Sequence, residues 1–344
     1  MIEFNWSLPM FDDDAGEPGT PPRRATLPYL TSIARSAQDV GFHALLLGAG
    51  YGQQVEAFTT AAALLQHADR IRALVAVRPG FYHPAIAAKL AATVDQHSGG
   101  RLLLNVVTGG VPSDLAKYGD RLPHDERYDR TREFLEVFTR LTAGTGPIDH
   151  DGRYFACEKA ELDYGLVGHP HGRIYFGGLS EPAREVAAEH ADTFLMWGFP
   201  AAEVSDIVED MRRRALRHDR KLRFGVRINV IARATSEEAW AKAESLLVAA
   251  GGDPMCTVRQ ETDSMAQQRM FALGADGPDR NGAFWSGLSK LRVGSGTALV
   301  GSYREVADGL RRYVEAGVDA FILAAAPHLE ECLRVGEQVL PALS

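Results

Sequence analysis

The densest cluster of ligand-binding chemistry in the chain is a four-residue turn, Gly177-Gly178-Leu179-Ser180. It lies between an apolar run (Arg173–Phe176) and a helical stretch (Glu181–His190). Glycines let the backbone approach a ligand closely. Ser180 stands where a helix cap belongs, with Pro182 in the first turn. A strand ending in Gly-Gly-x-Ser at a helix start offers the free N–H groups and positive dipole end that suit a phosphate. An ordinary βα loop can carry the same residues, so the turn alone leaves both readings open. Arg227 and Asn229 lie two apart in another apolar run and share a face if it is a strand. On an interior face the arginine requires an anion, either a ligand or an internal carboxylate. His124 and Tyr128, four apart at a helix start, can reach one phosphate; capping and packing are their alternative roles. Arg78, Asn105, Thr108 and Trp197 stand at the ends of further apolar runs. No Ser-His-Asp arrangement, close carboxylate pair or metal-ligand cluster competes, and that pattern suits a cofactor that carries the chemistry itself.

The elements that must position these residues alternate regularly. Apolar runs at Ile2–Leu8, Ala44–Leu47, Arg70–Val77, Leu102–Val107, Arg173–Phe176, Thr193–Trp197, Phe224–Ala232 and Ala320–Ala324 read as eight strands. Helical patterns follow each of them, and Gly152–Phe155 reads as a short extended excursion. Strict βα alternation implies a parallel sheet covered by helices, and eight units favour an α/β fold of the closed (β/α)8 TIM-barrel type. The doubly wound alternative lacks its Gly-x-Gly-x-x-Gly after the first strand. The chain reads as a single domain, 1–344, with one long insertion, 251–301, before the last βα unit. Glycines beside Arg292 suit a mobile lid there. The Asp-, Gly- and Pro-rich segment Pro9–Pro22 reads as a second functional loop.

With 344 residues and 45% hydrophobic content the chain can bury a full core. A net charge of −8, with no basic run interleaved with aromatics, argues against nucleic acid and anionic membrane as partners. Three widely spaced cysteines argue against a disulfide framework. The first residues, MIEFNW, lack a secretory signal, so a cytoplasmic enzyme is expected.

Longer stretches carry a resemblance. NVVTGG (Asn105–Gly110), HDERYDRTREF (His124–Phe134), IYFGGLSEPAREVAAEHADTFLMWG (Ile174–Gly198), FGVRINVIARATSEEAWAKAE (Phe224–Glu244) and GSGTALVG (Gly294–Gly301) resemble the bacterial luciferase-like flavin monooxygenases. Within that family the chain is most similar to the alkanesulfonate monooxygenases. The resemblance implies a barrel that binds reduced FMN supplied by a separate NAD(P)H-dependent flavin reductase, in a homodimer or homotetramer. It further implies that oxygen adds to the flavin as a peroxyflavin, which oxidises a small organosulfur substrate. An alkanesulfonate would give an aldehyde and sulfite. By position, Asn105, Thr108, His124, Tyr128, Gly178, Leu179 and Ser180 would hold FMN. Trp197, Arg227, Asn229 and Arg292 would face the substrate.

Three positions depart from the sulfonate pattern. Gly52-Gln53-Gln54-Val55 stands where a cysteine is expected, Asn229 where a histidine is, and Ala326 where a tyrosine is. The flavin end of the site is therefore expected to be retained and the substrate end rebuilt. The same chemistry on a sulfone or a non-sulfur substrate, hydride transfer with the deazaflavin F420, and flavin binding without turnover are the alternatives.

Overall fold

A computed structural model describes all residues except 1, 15–19, 51, 169–172, 251–260, 275–282, 292–293 and 344. Its strands are β1 (Glu3–Ser7), β2 (Ala44–Leu47), β3 (Arg72–Val77), β4 (Leu102–Val106), β5 (Ile148–Asp151) and β6 (Ala156–Ala160). They continue with β7 (Ile174–Phe176), β8 (Thr193–Trp197), β9 (Arg223–Arg233), β10 (Phe284–Trp285), β11 (Ala298–Ser302) and β12 (Ala320–Ala324). Eight of these, β1, β2, β3, β4, β7, β8, β9 and β12, pair in that order, all parallel, and β12 closes back on β1. The fold is a TIM barrel.

The strands read as continuous apolar runs because both faces are buried. In β2, Ala44 and Leu46 turn inward to meet Leu74, Leu103, Tyr175 and Ile322, while Leu45 and Leu47 turn outward beneath the helices. The base of the barrel is plugged by charge. Glu3 receives Arg173 at 3.0 Å, Arg223 at 3.1 Å and the Tyr175 hydroxyl at 3.3 Å. Burial opposes ionisation of Glu3, but the two guanidiniums outweigh it and hold its carboxyl below the ordinary range. Functional groups are thereby left to the opposite, carboxyl-terminal mouth.

Two regions differ from expectation. Gly152–Phe155 is the connection of an antiparallel hairpin, β5–β6, rather than an isolated excursion. Within 251–301 the described residues include a helix (Met265–Leu273), β10 and β11. Strand β9 is 11 residues long; β8 and β12 pair with its first part, and β11 runs parallel to Asn229–Arg233 beyond them. The end of the insertion is therefore built into the sheet. Cys157 and Cys332 are free thiols, and Cys256 lies outside the described residues. No helix among the described residues is long and apolar enough to cross a membrane.

Candidate functional site

The turn after β7 is built around the absence of side chains. A Cβ on Gly177 would lie 1.9 Å from the Leu195 carbonyl oxygen, so β8 leaves no room for one. At Gly178 φ is +155°, and a Cβ would come within 2.5 Å of the Ala183 Cβ and 3.3 Å of the Tyr128 hydroxyl. Ser180 occupies the cap position of Glu181–His190, yet its hydroxyl makes no capping bond. That hydroxyl is buried and, among the described residues, makes no bond of full hydrogen-bonding geometry; the Tyr128 hydroxyl beside it is close enough for a weak polar contact that opposes the rise in the tyrosine's pKa. The expected cap instead leaves its hydroxyl beside Tyr128, at the turn.

The first turn of helix His124–Thr142 meets this turn. The His124 and Tyr128 rings are 5.0 Å apart, and Tyr128 stands edge-on to Phe176 at 6.4 Å. Burial raises the Tyr128 pKa, so its hydroxyl stays protonated as a donor. His124 Nδ1 contacts Asp125 at 2.6 Å. Both helices begin without a side-chain cap, leaving first-turn N–H groups without a side-chain acceptor. Two helix starts, a buried orphan hydroxyl, a buried phenol and an imidazole fit a phosphate monoester. Arg127, between the two ring residues, is buried and bonds Asp263 at 2.5 Å, which docks the insertion here. Thr262 strengthens that docking by donating to the Gly110 carbonyl at 2.7 Å.

Asn105 is buried on β4, beside Ala76 of β3 and Tyr175 of β7. Thr108 lies 3.3 Å from the Thr131 hydroxyl, which itself donates to the Arg127 carbonyl at 2.7 Å. The Thr131 proton is committed there, so Thr108 is the donor of the pair.

At the mouth, Arg227 of β9 pairs in register with Trp197 of β8. Its residue surface is intermediate, but protein surrounds the side chain and Nε is sealed from water. We take it as a buried charge, with slight hydration at the rim. Burial lowers its pKa, and among the described residues no acceptor meets the guanidinium. The internal salt bridge that would have explained it is not found there. Arg78, by contrast, has its charge paired: it bonds Asp114 at 2.8 Å and lies 5.3 Å over the Phe81 ring, although its Nε, like that of Arg227, is sealed without an acceptor among the described residues.

Asn229 is buried and donates to the carbonyls of Ser295 (2.9 Å) and Thr297 (2.7 Å). Ser295 donates to the Arg227 carbonyl at 2.9 Å, and Thr297 to that of Gly198 at 2.6 Å. The Gly294–Thr297 segment is thus stitched across the ends of β8 and β9. Asn229 positions that segment through its amide. Sequence reasoning did not single out Ser295 or Thr297; their only signal was membership of a Gly-Ser-Gly-Thr run. Arg292 lies outside the described residues. Gln54 is exposed and Ala326 half-buried.

Among the described residues one side-chain cluster has metal-ligand types: Glu185, Glu189 and His218, on the outer helices. Its carboxylates are already paired, Glu185 with Arg214 and Arg217 and Glu189 with Arg132, so it is a surface charge network.

Known proteins share this architecture. A family model described as luciferase-like monooxygenase matches residues 2–320. A riboflavin lyase solved with modified FMN and riboflavin superposes with a TM-score of 0.81 at 21% identity, covering 100% of this chain and 91% of that one. EDTA monooxygenase from Chelativorans sp. BNC1 gives 0.80 at 20% identity, with 99% and 93% covered. An F420-dependent secondary alcohol dehydrogenase in complex with an F420-acetone adduct gives 0.77 at 17% identity, with 100% and 99% covered. At such identities these structures establish the fold alone. The family model spans nearly the whole chain, and the protein belongs to the luciferase-like monooxygenase family.

Proposed function

We propose that this protein is a two-component, FMN-dependent monooxygenase acting on a small organosulfur oxyanion, with an alkanesulfonate as the first candidate. The observation that carries the reading is Arg227, a buried cation without an acceptor among the described residues at the mouth of the barrel, two strands from the Gly177–Ser180 turn. Such a cation is costly unless an anionic ligand meets it, and its planar fork matches the oxygens of a sulfonate.

His124, Tyr128, Gly178, Leu179 and Ser180 would hold the FMN phosphate, with Asn105 and Thr108 along the flavin. Reduced flavin supplies the electrons for oxygen activation, and a separate NAD(P)H-dependent reductase would provide it. The overall change balances as sulfonate, O2 and reduced flavin giving aldehyde, hydrogensulfite, oxidised flavin and water. Arg227 would bind and orient the sulfonate, and Trp197 would exclude water beside it. Asn229 would act through the Ser295–Thr297 staple, and Arg292 would close over the substrate.

The test is aerobic turnover with reduced FMN over a panel of sulfonates and sulfones, reading sulfite. Sulfite from a sulfonate, lost in Arg227→Ala, supports the reading. Oxidation of a sulfone without sulfite from any sulfonate would move the substrate class. A second reading, hydride transfer with F420, is favoured by the fold shared with an F420-dependent dehydrogenase. Oxidation of reduced F420 without oxygen uptake would establish it instead.

A further inference from the structure

The second βα loop places a polar group in the mouth that the proposed reaction does not yet use. Leu46 of β2 points into the barrel and Leu47 points out, so Gly48 faces inward by alternation. The Gln53 carboxamide sits over Gly48: a Cβ there would lie 3.2 Å from Gln53 Nε2 and 3.7 Å from its Cδ. Gly48 has no left-handed φ to explain it, so its role is the room it leaves for this side chain. Gln53 Oε1 is buried and has no hydrogen-bond partner among the described residues. Its neighbour Gln54 is exposed and is tied to the first loop only through its backbone N–H, which donates to the Met10 carbonyl at 2.8 Å.

The barrel order fixes where this acceptor lies. In the ring β1-β2-β3-β4-β7-β8-β9-β12, β2 stands opposite β8, which carries Trp197. It is three steps both from β9, which carries Arg227, and from β7, which leads to the phosphate turn. For a molecule with its anionic group on Arg227, Gln53 therefore stands three strands round the mouth, on its far side. A sealed, unpartnered carbonyl calls for a donor.

We propose that Gln53 is a specificity-determining residue that accepts a hydrogen bond from an O–H or N–H at the end of the substrate remote from its anionic group. The preferred substrate is then a small oxyanion with a hydroxyl, amide or amino group at the far end, rather than a plain alkane chain. This inference rests on the monooxygenase reading above for its reaction, but not for its binding or stability readouts.

The experiment compares wild type with Gln53→Met, which keeps length and removes the acceptor. The probes are a size-matched pair, 3-hydroxypropanesulfonate and butane-1-sulfonate, turned over with reduced FMN. Wild type is expected to prefer the hydroxylated probe by about tenfold in kcat/KM, the worth of one hydrogen bond. Gln53→Met should abolish the preference while leaving FMN affinity unchanged. An unaltered preference in the variant overturns the proposal. If wild type releases sulfite from neither probe, the sulfonate panel decides the sulfonate reading, and thermal unfolding of the ligand-free protein decides the role of Gln53. A ligand-facing acceptor predicts a Tm equal to or above wild type, because an unsatisfied carbonyl has been removed. A fall of more than about 3 °C assigns the carbonyl a structural role, such as holding a buried water, and overturns the proposal.

Discussion

Replacing Arg227 by methionine separates a residue kept for a ligand from one kept for the fold. The side chain is enclosed by protein, its Nε is sealed, and no acceptor among the described residues meets it. Replacing buried ion pairs by apolar side chains of similar volume is neutral or stabilises by about 1–4 kcal/mol, and an unpaired charge lacks even the Coulomb gain of a pair. Arg227 retains some contact with the mouth, so about 1–2 kcal/mol applies here. At roughly 2 °C per kcal/mol for a chain of this size, Tm should rise by about 2–4 °C. Loss of a charge-assisted hydrogen-bonding fork should weaken the preferred sulfonate by about 10- to 150-fold, that is about 1.5–3 kcal/mol. Scanning calorimetry and equilibrium titration on the same preparation read both numbers. Arg227→Lys, which keeps the charge but not the fork, should weaken binding without raising Tm. A Tm that falls while sulfonate affinity is unchanged would show that the guanidinium serves the fold, and the argument would fail.

Other consequences can be checked independently. Gly178→Ala places a Cβ 2.5 Å from Ala183, so the turn must shift; FMN affinity should drop at least about tenfold by fluorescence titration, with about 1–3 kcal/mol lost from stability. Ser180→Ala and Tyr128→Phe should each weaken FMN by about tenfold, and the Ser180 change should leave Tm within a degree or so because, among the described residues, its hydroxyl has only a weak contact with the Tyr128 hydroxyl. Burial lowers the His190 pKa to about 4, so the native state disfavours its protonation. The unfolded chain then binds the extra proton between pH 6.5 and about 4, and stability should fall as pH drops through that window. His190→Gln should flatten this part of the pH–stability curve in denaturant titrations.

The barrel was legible because each of its strands is an apolar run set off by glycine or polar residues, and because eight such runs alternate with helices. The β5–β6 hairpin was not. Its strands, IDHD and ACEKA, are polar and largely exposed, so neither gives a hydrophobic period. Strand β11 was hidden for another reason: its pairing depends on how far β9 overshoots its barrel neighbours, which no local pattern records. At the site, the approach of Tyr128 to Gly178 was one of two arrangements that the residue types at the two helix starts allowed, the other being capping and packing. The partners of individual polar groups did not follow. Arg78 is neutralised by Asp114, 36 residues away, and Asn229 is bound by backbone carbonyls that exist at every residue. Ser180 showed the converse, since a residue placed to cap a helix leaves its hydroxyl free.

The cradle formed by His124, Tyr128, Gly178 and Ser180 is expected to hold a flavin phosphate, and every other role proposed for the site depends on it. Anaerobic titration of the protein with reduced FMN and with reduced riboflavin, identical but for the phosphate, tests this directly. FMN should bind tighter by about a hundredfold, the worth of two or more hydrogen bonds to a charged group, and Ser180→Ala should narrow the ratio. Equal affinities for the two flavins, or a ratio indifferent to Ser180, would contradict it.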